Sequence, residues 1–266
     1  MAGRGFRPVD PLPGAAPYFG GKKSLASRII ARIEKIPHLC YAEPFVGMGG
    51  IFFRRRFAPA VEVINDRSKN VATFFRILQR HYQAFLDMMK WQVTTRLEFE
   101  RLARTEPETL TDLERSARFF YLQRTSFSAK LINPSFPARS IRRIDISRLA
   151  VQLEDFHTRL SGVVIECLPY DEMIRRYDRA TTLFYLDPPY HGREREYEGG
   201  FTPDDFGKLA ATLAELKGRF IMSLNDDAFV RKCFAGFNLE TIEAQYTFRT
   251  TSGHAKKVRE LLITAR

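Results

Sequence analysis

The 266-residue chain reads as an α/β protein built on a nucleotide-binding βαβ unit and interrupted by a long helical insertion. Three observations predict this. A short apolar stretch, a glycine turn, a second apolar stretch and an acid follow one another between Leu39 and Asp66, the order of a nucleotide-binding strand, turn, helix and strand. From Ser68 to about Arg159 the pattern changes to long, heavily charged segments of helical period. Strand and helix signals then alternate again from Val163 onward.

Taken in order, residues 1–13 are rich in Gly and Pro and read as a loose arm. Residues 24–36 place Leu25, Ile29, Ile30, Ile33 and Ile36 at helical intervals. Residues 39–42 suit a short strand, followed by a glycine turn over 45–50 and a helix from about Ile51; residues 61–64 are the second strand, ending at Asn65 and Asp66. Helices are expected over 70–91, 96–105, 112–124 and 146–160, with a Pro- and Arg-rich hairpin or loop over 126–143. Strands follow at 163–165, 183–186 and 220–223, with a helix over 203–216. The tail suits an antiparallel pair, 245–248 with 258–264.

Composition narrows the partners. Lys and Arg number 42 against 31 Asp and Glu, a net charge of +11 and a pI near 9.7, which favours a polyanion such as nucleic acid or a membrane surface. No apolar run approaches the length that spans a bilayer, so a membrane role is not expected. The first residues lack the apolar core of a secretion signal, which points to the cytoplasm. Cys40, Cys167 and Cys233 are far apart and lack metal-ligand spacing; they are expected to be buried apolar thiols in a reducing compartment, and no metal is expected.

The apolar run 183–186 stops at Asp187-Pro188-Pro189-Tyr190. Asp187 can accept one hydrogen of an exocyclic amino group. Pro188 lacks an N–H and is held extended by the proline after it, so its carbonyl can take the other. Tyr190 offers a flat face to a base. Read blandly, the same residues are a strand end with a proline stop. The glycine turn is not a dinucleotide fingerprint, because Phe52 stands where a third glycine would be needed. It suits the approach of a smaller nucleoside. Asp66 lies 19 residues past Gly47, where a carboxylate can take both hydroxyls of a ribose; the competing role is the N-cap of the helix that follows.

The blocks Tyr18-Phe19-Gly20-Gly21-Lys22, Glu43-Pro44-Phe45-Val46-Gly47-Met48-Gly49, Asn65-Asp66 and Asp187-Pro188-Pro189-Tyr190, in this order around a basic helical insertion, resemble the Dam-type DNA adenine-N6 methyltransferases. The resemblance runs from about Pro17 to the C-terminus and includes Ser223-Leu224-Asn225-Asp226 and the closing block 253–262. It implies a Rossmann-like methyltransferase domain over 14–69 and 160–266 that uses S-adenosylmethionine, with a target-recognition insertion over 70–159. It further implies that Tyr18 and Lys22 line the methionine end, that Phe45 and Gly47 run along the cofactor, and that Asp66 holds the ribose. By the same resemblance Asp171 lies near the adenine of the cofactor, although residues 166–171 match the family only approximately. Asp187 would stand between methionine and target base, with Pro188, Pro189 and Tyr190 completing the catalytic tetrapeptide.

The chemistry is consistent with those residue types. The target amine is a poor nucleophile because its lone pair is delocalised into the ring, and hydrogen bonds to Asp187 and the Pro188 carbonyl favour the pyramidal form that attacks. The base has to leave the duplex stack at a cost of a few kcal/mol. A polar loop over 191–200 ends in two glycines and either closes over that base, with Tyr197 as its contact, or is a plain surface loop. His191 reads as solvated.

Double-stranded DNA is the expected partner, bound by a monomer or by a dimer on DNA. Between Arg115 and Arg148 lie eight basic residues and one acid, interleaved with Phe119, Phe120, Tyr121, Phe127 and Phe136. Arg124, Ser126, Phe127, Lys130, Arg139, Arg142 and Arg143 are the expected DNA contacts, Phe127 as a wedge. A solvated basic face over core aromatics is the alternative, above all for Phe119 and Phe120. Residues 124–130 resemble the family's recognition hairpin, but Ser128 replaces the amide residue of a GATC reader, which leaves the target sequence open.

Within the same chemistry, cytosine-N4 methylation is the runner-up, and Asp rather than Ser at 187 leans to adenine. A carbon-5 cytosine methylase is excluded, because no cysteine follows a proline. A non-catalytic DNA-binding relative conflicts with intact Asp66 and Asp187, and a nicotinamide dehydrogenase conflicts with Phe52.

Overall fold

The computed structural model describes residues 5–15, 22, 25–126, 134–136, 146–193, 200–249 and 255–266. Seven strands form the main sheet: β2 (Cys40–Glu43), β4 (Val61–Asn65), β5 (Val164–Glu166), β6 (Thr182–Leu186), β7 (Arg219–Asn225), β8 (Asn238–Arg249) and β9 (Ala255–Thr264). Their order is β5-β4-β2-β6-β7-β9-β8. The first five are parallel, and β9 runs antiparallel to both β7 and β8. From β2 the chain moves outward through β4 to β5, then returns to the other side of β2 as β6. The crevice between the C-terminal ends of β2 and β6 is thus the switch point at which open α/β sheets bind ligands.

Side chains alternate across this sheet with period two. Tyr41, Leu183, Tyr185 and Ile221 join a core on one face; Ala42, Phe184, Leu186, Phe220 and Met222 join a core on the other. β6 is buried at every position, which is why it reads as an unbroken apolar run. The second face is covered by α6 (Tyr170–Tyr177), α7 (Pro203–Ala214) and α8 (Ala228–Cys233). The first face carries α1 (Ala26–Ile33), which buries Ile29, Ile30 and Ile33, and the helical insertion.

The insertion comprises α2 (Lys69–Lys90), α3 (Arg96–Arg104), α4 (Asp112–Thr125) and α5 (Ile146–Leu160). Thr111 and Glu114 close a reciprocal capping box on α4. Phe74 stacks on Phe120 at 5.7 Å between centroids, and Phe53 meets both Phe75 of α2 and Phe156 of α5. The core of the insertion is therefore continuous with that of the sheet. Among the described residues, no helix is long and apolar enough to cross a membrane.

Several expectations are corrected. Residues 7–15 are not a loose arm: β1 (Arg7–Pro8) pairs with β3 (Phe57–Ala58), and the amides of Val9, Leu12 and Ala15 donate to Arg56, Phe53 and Met48. The helix expected from Ile51 is a single 3-10 turn, Phe52–Arg54, because the chain must reach β3 within a few residues and both phenylalanines are buried there. The tail strands are longer than expected, since β8 begins at Asn238. Cys167 is exposed, and Cys40 and Cys233 are half-buried.

A buried charge cluster fastens the insertion to the sheet. Glu62 of β4 accepts two bonds of 2.7 Å from Arg159, in the last turn of α5, and also pairs with Arg55. Burial works against its charge, but Arg55 and Arg159 hold Glu62 below the ordinary carboxylate range. The Arg55 guanidinium lies 3.6 Å from the Tyr41 centroid, and that of Arg159 lies 4.2 Å from Phe52. Glu62→Ala would strand two buried cations, and unfolding in urea should show a loss of about 3–5 kcal/mol; a loss below about 1 kcal/mol would show that the cluster is not what ties α5 to the sheet.

Candidate active site

Asp187 leaves β6 at the switch point, with its side chain 21% exposed. The Lys22 ammonium lies 2.7 Å from its Oδ1, and the Ser223 hydroxyl donates to the same Oδ1 at 3.2 Å. Lys22 is 2% exposed and also donates to the Tyr190 hydroxyl. Its Nζ stands 4.3 Å from the Tyr190 ring centroid and 3.7 Å from Glu260 Oε2. Burial pushes Asp187 up to about 6, with Lys22 opposing the rise. Glu43, at the end of β2, accepts a 2.7 Å bond from the Tyr41 hydroxyl and is pushed by burial to about 8, so it is mostly protonated at neutral pH. Pro188 and Pro189 are buried and Tyr190 is half-buried.

Beside this centre lies the glycine turn. Gly47 and Gly49 have φ of +50° and +70°, and a Cβ at Gly49 would collide with the Phe53 ring. Asp66 is not the N-cap of α2; Ser68 holds that position. The Asp66 carboxylate instead accepts the Gly47 amide at 3.0 Å and the Ser68 amide at 2.9 Å, which fixes both its own direction and the glycine turn. The neighbouring Asn65 is a feature that the sequence did not disclose. Its amide donates to the carbonyls of Pro44 at 2.9 Å and Leu168 at 3.1 Å, while its oxygen accepts the Leu168 amide at 2.8 Å.

Phe45, Tyr170 and Phe201 meet along the same edge, with centroids 5.5–6.0 Å apart. Of these only Phe45 was legible as a site residue. Asp171 follows in the first turn of α6, half exposed and paired with Arg175 at 3.0 Å. His191 is only partly solvated: its Nδ1–H donates to Asp227 at 3.0 Å, and its ring stacks on Phe229 at 4.2 Å. Asn225 accepts the His191 amide at 3.0 Å and donates to Asp227 at 2.7 Å. The tetrapeptide is thus clamped at its exit to the loop after β7.

In the basic insertion the core reading holds for Phe119 and Phe120, and two of the basic residues serve the fold. Arg115 bonds to Asn70 and Glu108, and Arg118 donates to the carbonyls of Leu102 and Ala103, so both serve the fold. Phe119, Phe120 and Tyr121 are core residues, and Phe136 packs on Phe99. Arg124 is half-buried over the Phe120 ring and donates to Gln152 at 3.4 Å; Ser126 ends α4. Tyr18, Phe127, Lys130, Arg139, Arg142, Arg143 and Tyr197 lie outside the described residues.

Residues 18–248 match the family of D12 class N6 adenine-specific DNA methyltransferases. The chain belongs to that family. It is an adenine-specific DNA methyltransferase, with DNA as its substrate. Two relatives named DNA adenine methylase, from Vibrio cholerae serotype O1 strains O395 and N16961, are each 27% identical over 264 residues, covering 92% of this chain and 93% of theirs. A solved precorrin 8w decarboxylase from Methanobacterium thermoautotrophicum aligns over 92% of this chain and 90% of its own at 11% identity, with a TM-score of 0.38, too slight a likeness to carry any argument. The mostly parallel seven-stranded sheet is that of a Rossmann-like methyltransferase.

Asn65→Ala would leave two buried carbonyls and an amide without their partner. Thermal or urea unfolding should report a loss of about 1–3 kcal/mol; unchanged stability would remove Asn65 from the architecture of the cleft.

Proposed function

We propose that this methyltransferase takes its methyl group from S-adenosylmethionine and delivers it to N6 of an adenine turned out of double-stranded DNA. The observation that carries this is Asp187: a carboxylate at the switch point, followed at once by the Pro188 carbonyl and the Tyr190 ring. The cofactor fits the residues beside it. Gly47 presents bare backbone, Asp66 is a fixed acid for ribose hydroxyls, and Phe45, Tyr170 and Phe201 supply an aromatic wall for a purine. Asp171 stands next to that wall for the exocyclic group of the purine, and Tyr18 and Lys22 serve the methionine side. When bound, the cofactor supplies an electrophilic methyl on a sulfonium.

The protein's part is orientation. Asp187 and the Pro188 carbonyl accept the two amino hydrogens, turning the nitrogen lone pair toward the methyl, while Pro189 keeps the segment extended and Tyr190 stacks on the base. The nitrogen that receives the methyl would carry an excess proton, which would leave through Asp187 or water. Residues 70–159 form the target-recognition part of this scheme, with 14–69 and 160–266 as the catalytic part. Arg124, Ser126, Lys130, Arg139, Arg142 and Arg143 meet the DNA, Phe127 fills the gap left by the base, and Tyr197 covers it. The enzyme works in the cytoplasm and binds DNA as a monomer or as a dimer on DNA.

Labelled-methyl transfer to duplex DNA, followed by identification of the modified base, tests the scheme; N4-methylcytosine as product would replace the acceptor. Because Asp187 acts as a carboxylate and its folded pKa is raised to about 6, kcat/KM should be full above that value and fall as pH drops through it. Asp187→Ala should abolish transfer while leaving DNA affinity nearly unchanged. An acid limb at the ordinary Asp value, or turnover in the variant, would displace Asp187 from this role.

The DNA contacts separate by salt dependence. Each alanine at a phosphate-binding Arg or Lys should flatten the slope of log affinity against log salt by about one. Phe127→Ala should leave the slope in place and lower turnover or blur the methylated motif. If none of these substitutions alters slope or motif, another surface reads the DNA.

A further inference from the structure

We propose that Lys22 and Ser223, with Tyr185 behind Ser223, are positioning residues for the methyl transfer: together they lock Oδ1 of Asp187, so that the ionised Oδ2 faces the incoming amine. This rests on Asp187 being the acceptor for that amine. Two donors converge on one oxygen, the Lys22 ammonium at 2.7 Å and the Ser223 hydroxyl at 3.2 Å. Ser223 is fixed in turn, since its oxygen lies 2.8 Å from the Tyr185 hydroxyl and both side chains are buried. Tyr185 and Asp187 are two residues apart and lie on one side of β6, while Ser223 belongs to the neighbouring β7, so the sheet itself sets the spacing.

A lone carboxylate turns readily about its last torsion, because terminal sp³–sp² rotations are broad. Donors on one oxygen only remove that freedom and define which oxygen remains. A cation beside a carboxylate weakens it as a base, so this arrangement secures direction and ionisation at the expense of basicity. Ionisation needs help here. Asp187 faces Glu260 from β9 and Glu43 from β2, with the Tyr185 and Tyr190 hydroxyls nearby, and Lys22 is the cation set among them.

A role of Lys22 toward the cofactor's methionine end alone makes different predictions, and kinetics separates them. We would measure kcat/KM against pH with labelled donor and duplex DNA for the native enzyme and for Lys22→Met, Lys22→Arg, Ser223→Ala and Tyr185→Phe. Cofactor affinity would be measured by calorimetry. Lys22→Met should move the acid limb upward by about one unit or more, as for loss of an opposite charge within hydrogen-bonding range, and lower kcat by about 100-fold, the scale of a small misplacement of reacting groups. Lys22→Arg should keep the limb near its native place at reduced kcat. Ser223→Ala should lower kcat about tenfold, move the limb in the same direction by less, and leave cofactor affinity within about twofold. Tyr185→Phe should follow Ser223→Ala more weakly.

A rise in the cofactor dissociation constant with the limb unmoved in Lys22→Met, or unchanged kcat in Ser223→Ala, overturns the proposal. Should Lys22→Met fail to fold by circular dichroism, Ser223→Ala decides alone. Native enzyme without any methyl transfer overturns the underlying assignment of Asp187 instead.

Discussion

Asn65 joins the exits of three adjacent strands through one side chain. Its own strand, β4, is the middle of the three; Pro44 leads out of β2 and Leu168 follows β5. A parallel sheet leaves the chain at each strand's end free to turn in any direction, and a ligand cleft requires those turns to agree. With Pro44 and Leu168 held to one amide, Phe45 and Tyr170 are brought face to face, and the glycine turn begins in register with Asp66. Asp66 then repeats the device one residue later, using its carboxylate on Gly47 and Ser68. The edge proposed for the cofactor is therefore set by two consecutive polar side chains.

Charge is distributed unevenly through the molecule. The chain carries a net charge of +11, yet Asp187 and Glu260 both lie within 4 Å of Lys22, and Glu43 is within electrostatic reach of Asp187. A net positive charge favours an anionic duplex, the substrate of the family. Burial, with the Asp187 charge adding to it, pushes Glu43 up to about 8, which favours its neutral form beside Asp187.

The parts of the fold set by local signals were legible. β6 is buried on both faces and so reads as an apolar run, α5 matches its expected bounds, and Asp66 and Asp187 stand out as acids directly after apolar strands. What was hidden depends on distant pairing. Lys22 meets residues more than 160 positions away, and His191 is held by Asp227 across the end of β7. α8, at six residues, is too short for periodicity to show. In the insertion, net charge overstated the basic groups left for DNA, because Arg115 and Arg118, two of its eight basic residues, bond to Glu108, Asn70 and two carbonyls. Exposure of Cys167 was equally invisible, since thiols carry no strong local signal.

The ring contacts of Phe53 with Phe75 and Phe156, and the grip of Glu62 on Arg159, give the helical block and the sheet a common interior. In evolutionary terms this makes the block a poor module. Exchanging it whole between relatives would tear open a packed interior and unpair a buried acid, so the helices and the sheet can diverge only together.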